Sequence, residues 1–571
     1  MKTLRFTITL VVTLIAASSA LAQSKSDQID KLLKSYHDYG QLNGAVLVAD
    51  GGKVVFKKGY GMANMEWNVP VQTDTKFRIG SVTKQFTAAL ILQLVEQGKI
   101  KLDGKITDYL TDYRKDTGDR VTIHQLLNHT SGIPSYTSLP VFGAESRNPY
   151  EVKAFVKKFA SGDIEFEPGS KYSYNNSGYF LLGAIIEQVT GKPFATVLRE
   201  NILDPLGMKD SGFDDDTPLI ARRAAGYSKT PEGYENAPYL EMQLPYAAGS
   251  MYSTVEDLFK WEQALYEDKI LSAASKKLMF SPGLEKYGYG VVITDQALGN
   301  TKEKAAAIFH GGGINGFNSL LTRLIDRRAS VIILDNVGQG RYQGRMTEAI
   351  AGILYDRPFD APKRSIAEAL YKVAIEKGGV AAVSEYRKLK AAKPNEYDFA
   401  EGELNTLGYQ IMRRDRTKDA IEIFKLNVEM FPAAFNPYDS LGEAYLADGQ
   451  KELALTNYKK SVELNPENTN GIRYIKQIEG KDAKVDPSVF DAYVGDYELA
   501  PNFILTITRE GDTLIGQATG QGKLRLEPVS EVQYTVSAVG ADLTFEKGAD
   551  GKVTGLTLVQ GGRTTKGRKI K

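Results

Sequence analysis

From Phe86 to Val95 the chain reads FTAALILQLV, apolar almost all the way round a helix, and such a helix has to be buried. Its first turn nevertheless carries Ser81 and Lys84, a hydroxyl and an amine that share one helix face. The 571 residues exceed what one core supports, and about 150 residues per domain gives three or four.

Three textures follow one another. Residues 23–356 mix strand-like runs, helices and Gly-rich turns. GAVLVADGGKVVFKKGYG predicts two strands around Asp50-Gly51-Gly52, and SVIILDN predicts a buried strand. TVEDLFKWEQALYE and FLLGAIIEQVTG have helical periodicity, the second ended by glycine. Strands near both ends with helices between predict an α+β domain, an antiparallel sheet plus a helical region, whose sheet uses both termini of the segment. Residues 357–365, with two prolines and charge, form the expected linker.

In residues 366–480, Leu407-Gly408 recurs as Leu441-Gly442, Ala420 as Ala454, Phe424 as Tyr458 and Pro432 as Pro466, always 34 residues on. That period is the tetratricopeptide signature, two helices per repeat. Ala382, Tyr386 and Pro394 form a related pattern in another phase, a degenerate first repeat. Residues 486–571 alternate on a period of two through FILTITR, TLIGQA, KLRLEP, QYTVSA, DLTFEK and VTGLTLVQ, with Asp550-Gly551 as a hairpin turn. These predict a small antiparallel β domain, a barrel-like meander.

Residues 1–22 carry Lys2 and Arg5, an apolar run, then Ala20-Leu21-Ala22, the pattern of a signal peptide cleaved before Gln23. Cleavage removes two positive charges and takes the formal charge from +1 to −1. So balanced a chain offers no electrostatic case for nucleic acid or an anionic membrane surface. No later segment has the length of a membrane span. A periplasmic or secreted protein is expected. The chain has no cysteine, which excludes disulfides, zinc-thiolate sites and a thiol nucleophile.

Ser81-Val82-Thr83-Lys84 is the only Ser-x-x-Lys in the chain. A serine needs a base to become nucleophilic, and a lysine among apolar neighbours has its pKa lowered by desolvation. A serine at a helix N-terminus also has free backbone N–H groups near it. Two further clusters carry chemistry. Tyr174 and Asn176 precede the helix near Phe180; a phenol passes protons, and an amide holds both an amine and a carbonyl. FHGGGINGF places His310 before Gly311, Gly312 and Gly313, where a backbone without side chains can approach a ligand closely. His124 and His129 have no acidic partner at ligand spacing and are expected to orient loop and helix backbone. No metal and no cofactor is expected. KEKAAA, Lys302 to Ala307, is expected to be a solvated turn.

The order Ser-x-x-Lys, Tyr-x-Asn, His-x-Gly resembles the β-lactamase-related serine hydrolases: class C β-lactamases, D-alanyl-D-alanine carboxypeptidases, D-aminopeptidases and related esterases. LLNHTSGIPSY, DPLGMKDSGF and AAGSMYSTVEDL extend the resemblance over the first texture. It implies a β-lactamase/transpeptidase-like catalytic domain in which Ser81 forms an acyl-enzyme and Lys84 is its base partner. Tyr174 would relay protons, Asn176 would hold Lys84 and substrate, and His310 would support Tyr174 by charge or hydrogen bond. The oxyanion hole would combine the N–H of Ser81 with one from the third motif, most naturally Gly313, beside Gly311 and Gly312. Class C β-lactamases usually carry Lys-Thr-Gly where this chain has His310-Gly311-Gly312, so a fixed cation and a carboxylate-binding hydroxyl are missing. The resemblance therefore implies a small peptide, amide or ester substrate before a β-lactam. The repeats offer a concave surface for a protein or peptide partner, or serve as a spacer.

Overall fold

The computed structural model describes residues 24–571 apart from 216, 339, 480–484, 501–502, 549 and 561–562; the leader expected over 1–22 lies outside them. Helix α1 (Lys25–Asp38) is followed by β1 (Gly44–Asp50) and β2 (Lys53–Tyr60), joined by a turn at Gly51 and Gly52 with φ of +58° and +75°. Then come α2 (Thr83–Glu96), α3 (Asn176–Thr190) and α4 (Val255–Ala264). Strands β3 (Val292–Ala297), β4 (Lys304–Ile314), β5 (Phe317–Leu324) and β6 (Ala329–Asp335) precede α5 (Gln343–Leu354). The strands form one antiparallel sheet in the order β3-β4-β5-β6-β1-β2.

The first and last strands of this unit pair directly, with Gly44 opposite Asp335 and Ala49 opposite Ser330. Side chains alternate across a strand, and here both faces are covered. Ala45, Leu47 and Ala49 pack into the core that holds α2, whereas Val46 and Val48 pack against α1 and α5. Helix α2 is buried from Thr83 to Leu92, which explains why its sequence has no polar face. Trp261 of α4 stacks on Phe86 with centroids 4.3 Å apart and donates from Nε1 to Gln85 Oε1 at 3.0 Å. KEKAAA departs from expectation: its last four residues begin β4, with Ala305 and Ala307 buried against the α5 side.

The segment expected to be a linker follows the surface of this unit, with Phe359 packed on the α1/α5 core and Lys363 O accepting from Gln41 Nε2 at 2.7 Å. A helical region follows: α6 (Ile366–Lys377), α7 (Gly379–Ala392), α8 (Glu401–Met412), α9 (Thr417–Met430), α10 (Phe435–Ala447), α11 (Lys451–Leu464) and α12 (Thr469–Glu479). The residues that recur at 34 do equivalent work. A Cβ on Gly408 of α8 would lie 2.4 Å from the Phe424 ring of α9, and one on Gly442 of α10 would lie 3.1 Å from the Tyr458 ring of α11. Each glycine lets a ring seat between two helices, and Ala420 and Ala454 are fully buried beside them. In α7, Ala382 and Tyr386 are also fully buried. Ion pairs Lys229–Glu368 (2.7 Å) and Arg345–Asp398 (2.8 Å) tie this region to the first unit.

The tail is a closed eight-stranded barrel: β7 (Gly495–Ala500), β8 (Phe503–Glu510), β9 (Thr513–Ala518), β10 (Leu524–Pro528), β11 (Gln533–Val536), β12 (Ala541–Lys547), β13 (Val553–Gln560) and β14 (Arg563–Lys569). Tyr493, Tyr497, Tyr534 and Phe545 fill it. The two strands absent from the sequence reading, β7 and β14, are those that close it, with Tyr497 opposite Lys569. RTTKGRK has no apolar alternation because Gly567 is overlain by Leu499, which a Cβ would approach to 2.8 Å. Among the described residues no helix is long and apolar enough to cross a membrane.

Replacing Gly408 with Val forces a branched side chain into the Phe424 ring. Overpacking of this kind costs about 1–3 kcal/mol, and urea unfolding followed by helical circular dichroism should show the loss.

Candidate active site

Ser81 sits in the 3-10 turn Gly80–Val82 that feeds α2. Gly80 has φ of +49°, and a Cβ there would lie 2.9 Å from the backbone nitrogen of Gly313. One residue away on each strand, a Cβ on Gly312 would lie 2.0 Å from Ile79 O, and Ser319 Oγ donates to that same carbonyl at 2.7 Å. The nucleophile turn and β4 are therefore pressed backbone to backbone, which only glycines permit. This sets the residue before Ser81 directly against the backbone of Gly313.

Lys84 is fully buried on the first turn of α2. Its Nζ lies 3.1 Å from Ser81 Oγ and donates to Asn176 Oδ1 and to Ala248 O, both at 2.8 Å. No carboxylate is among its partners. Burial pushes its pKa well below the usual lysine range. A neutral amine has two N–H bonds and one lone pair. With the two donors on Asn176 and Ala248, the lone pair faces the Ser81 hydroxyl.

Asn176 is the first residue of α3, and Asn175 caps that helix by accepting from Gly178 N at 2.8 Å. The Asn176 amide is held at both ends, its oxygen by Lys84 and its nitrogen by Thr137 Oγ1 at 3.1 Å. The preceding residue, Tyr174, shows 38% of its surface to the cleft while protein crowds its other sides. That crowding raises its phenol above the ordinary range, and a hydrogen bond with Ser81 pulls it partly back. The Lys84 nitrogen lies 4.9 Å from the Tyr174 ring centroid. Ser81, Lys84, Tyr174 and Asn176 thus meet in one place.

His310 sits in the same wall, its ring centroid 6.3 Å from that of Tyr174. Its hydrogen bonds go elsewhere: Nδ1 meets Gly311 O at 2.6 Å and Nε2 meets the Tyr287 hydroxyl at 2.9 Å. Burial, with Lys84 a lesser cause, holds its pKa down at about 3, so the imidazole is neutral. The expected support of Tyr174 by charge or hydrogen bond from His310 is absent from this geometry, because both ring nitrogens are engaged. Gly311 is open where Gly312 is closed, the nearest atom to a Cβ there being Ser319 O at 3.7 Å.

Of the two histidines expected to orient backbone, His129 does so, whereas His124 bonds side chains. His129, at φ of +61°, accepts from Asn175 N at Nδ1 (3.1 Å) and packs at a tilt against Tyr174 with centroids 4.4 Å apart. His124 Nδ1 bonds the Tyr289 hydroxyl at 2.7 Å. Among the described residues no three His, Asp or Glu side chains cluster as a metal site. Sequence reasoning missed Ala248, Thr137 and Tyr287. Ala248 acts through its carbonyl, which leaves no side-chain signal; Thr137 and Tyr287 lie in loops whose approach to the site only the fold determines.

A serine beside a buried amine of lowered pKa, with a phenol and an amide meeting the same pair, is the arrangement of a serine hydrolase centre. A beta-lactamase family model matches residues 29–355, and the chain belongs to that family. It is 32% identical to penicillin-binding protein 4* of Bacillus subtilis (strain 168) over 367 residues, 60% of this chain and 79% of that one. It is 28% identical to esterase EstB of Burkholderia gladioli over 387 residues, covering 60% and 98%. Among solved structures, D-amino acid amidase from Ochrobactrum anthropi SV3 is 27% identical with a TM-score of 0.50, covering 58% and 98%. Residues 480–569 match a domain of unknown function (DUF3471).

Two adjacent glycines should behave oppositely. Gly312→Ala drives a methyl into Ile79 O and should lower kcat/KM for an ester at least about a hundredfold, whereas Gly311→Ala should change stability by no more than about 0.5 kcal/mol. Steady-state kinetics and thermal melts of both variants check this.

Proposed function

We propose that the protein is an exported serine hydrolase that cleaves an amide or ester bond through an acyl-enzyme on Ser81. Short peptides or amino-acid amides, D-configured or from peptidoglycan, are its preferred substrates. The observation that carries this reading is the Lys84 amine, buried without a carboxylate and facing the Ser81 hydroxyl. In the first step Ser81 Oγ bonds the carbonyl carbon as Lys84 Nζ takes its proton, and the oxyanion lies between the N–H groups of Ser81 and Gly313. Lys84 then returns the proton through the Tyr174 hydroxyl to the leaving nitrogen or oxygen, the carbon–heteroatom bond breaks, and the acyl group remains on Ser81. Water repeats the sequence in reverse and frees the acid. Asn176 keeps Lys84 in place and offers its amide nitrogen to the substrate.

The third motif supports a substrate without an essential carboxylate, since His310 is uncharged and Gly311 supplies no hydroxyl. Esterase activity is the second reading, favoured by the open, glycine-lined cleft edge at Gly311. The similarity to a D-amino acid amidase and to an esterase agrees with these two substrate classes. We also take α8–α11 as tetratricopeptide-like repeats, on the recurring glycine–ring packing, with a surface for a peptide or protein partner. The leader motif supports a periplasmic or secreted location.

Ser81→Ala should abolish turnover of a p-nitrophenyl ester, a D-amino-acid amide and nitrocefin alike, and mass spectrometry should find the acyl adduct of the native enzyme on Ser81. Turnover at the native rate by Ser81→Ala would sink the mechanism. Partner binding through residues 366–480 with no Ser81-dependent turnover would favour a binding protein.

The pH profile has a defined sign. The active form has neutral Lys84 and protonated Tyr174, whose pKa values are lowered and raised respectively. The ratio kcat/KM should fall as pH drops through the lowered Lys84 value and hold on the alkaline side to about pH 10. A rate that rises only near pH 10 would show an ordinary lysine and contradict the assignment.

A further inference from the structure

The run Gly311 to Gly313 has an unusual problem. Strand β3 pairs with β4 only between Lys304 and Phe309, so beyond that point, among the described residues, β4 has a strand partner only toward β5. Three consecutive glycines also have the largest conformational freedom available to a chain. An oxyanion donor nevertheless has to point at a fixed place. Among the described residues, two side chains hydrogen-bond the carbonyls of this run. Asn318 Nδ2 reaches Gly312 O at 3.4 Å, and His310 Nδ1 reaches Gly311 O at 2.6 Å.

A carbonyl oxygen can only accept, so the proton of His310 is on Nδ1, and Nε2 is left as an acceptor. The group facing Nε2 is the Tyr287 hydroxyl at 2.9 Å, and both side chains are buried, Tyr287 to 1% exposure. Tyr287 is delivered by a turn under strain: Glu285 and Lys286 have φ of +51° and +58°, and Tyr287 O accepts from Gly283 N at 3.0 Å. Two successive non-glycine residues in the left-handed region persist only where the surroundings enforce them, and such strain clusters at functional sites. The Tyr287 ring also packs against His129 at 4.5 Å, and His129 in turn packs at a tilt against Tyr174.

We infer that Tyr287 is a positioning residue of the site: its hydroxyl holds His310 in the Nδ1–H form, and His310 thereby pins the Gly311 carbonyl and aims the glycine edge that carries the oxyanion donor. The third-motif histidine is then a pin between a tyrosine and the strand, with no proton or charge to offer the substrate. This deepens the hydrolase reading, on which its kinetic test rests; its spectroscopic test does not.

The chain has four histidines, which makes selective 15N-histidine labelling practical. In the native protein at neutral pH, His310 should show a single neutral tautomer protonated at Nδ1, and Ser81→Ala should show the same. In Tyr287→Phe the His310 signals should turn to a mixture of tautomers, and kcat/KM for an ester should fall about tenfold, the value of one buried hydrogen bond. In a His310→Gln background the same substitution should cost less than about twofold, because the pin is already gone. Additive losses, or a Tyr287→Phe enzyme unchanged in both tautomer and rate, overturn the inference. So does a native His310 protonated at Nε2, a result that needs no variant to fold. Absence of Ser81-dependent turnover with the Nδ1–H tautomer intact would instead overturn the hydrolase reading alone.

Discussion

An amine deprived of water is the condition on which this catalytic unit is built. Burial lowers the pKa of Lys84, and its hydrogen-bond acceptors are neutral, an amide oxygen and a main-chain carbonyl. Meeting that condition requires cover on every side of the first turn of α2. The apolar faces of α2, the N-terminus of α3, the segment around Ala248 and the inner face of the sheet provide it. The absence of a polar face along FTAALILQLV follows from the same need, and so does the stack of Trp261 on Phe86.

A second constraint works at shorter range. The turn before α2 and the edge of β4 approach each other through Gly80 and Gly312, at distances that leave no space for a methyl group. Side chains therefore do not separate the nucleophile from the strand. The geometry beside Ser81 is set by two stretches of main chain, and Ser319, Asn318 and His310 hydrogen-bond the carbonyls of those stretches. Ser319 holds Ile79 O and Asn318 braces Gly312 O; His310 does the same for Gly311 O. The sheet thus contributes rigidity to a centre whose reactive groups come from helices.

Much of this was legible before any coordinates. Ser81 and Lys84 were legible from spacing, since three residues on a helix put two side chains together whatever the tertiary fold. The meeting of this pair with Tyr174 and Asn176 was expected from resemblance, and spacing alone could not supply it. What escaped falls into two physical kinds. Ala248 contributes a carbonyl, which every residue has, so no residue type marks it. Tyr287 reaches His310 through a strained turn whose direction depends on tertiary contacts. The partners of His310 escaped for a related reason: its ring nitrogens meet a neighbouring carbonyl and a tyrosine distant in sequence. In the barrel, β14 was overlooked because its inner position is Gly567, and β7 because its alternation is confined to Tyr497 and Leu499.

The pairing of β1 with β6 has a consequence for how the molecule comes into being. A chain made or threaded from its N-terminus presents Gly44–Asp50 early, yet the strand that shields its edge is among the last of the catalytic unit to arrive. Until then β1 and β2 are a lone hairpin with one apolar edge uncovered, which is marginal in water and prone to wrong partners. Contacts so distant along the chain slow folding. The buried lysine adds to the delay, because its neutral acceptors come from segments that also arrive late. The sheet of the catalytic unit therefore cannot close before residues 329–335 are available, and the helical and barrel units lie beyond that point in sequence.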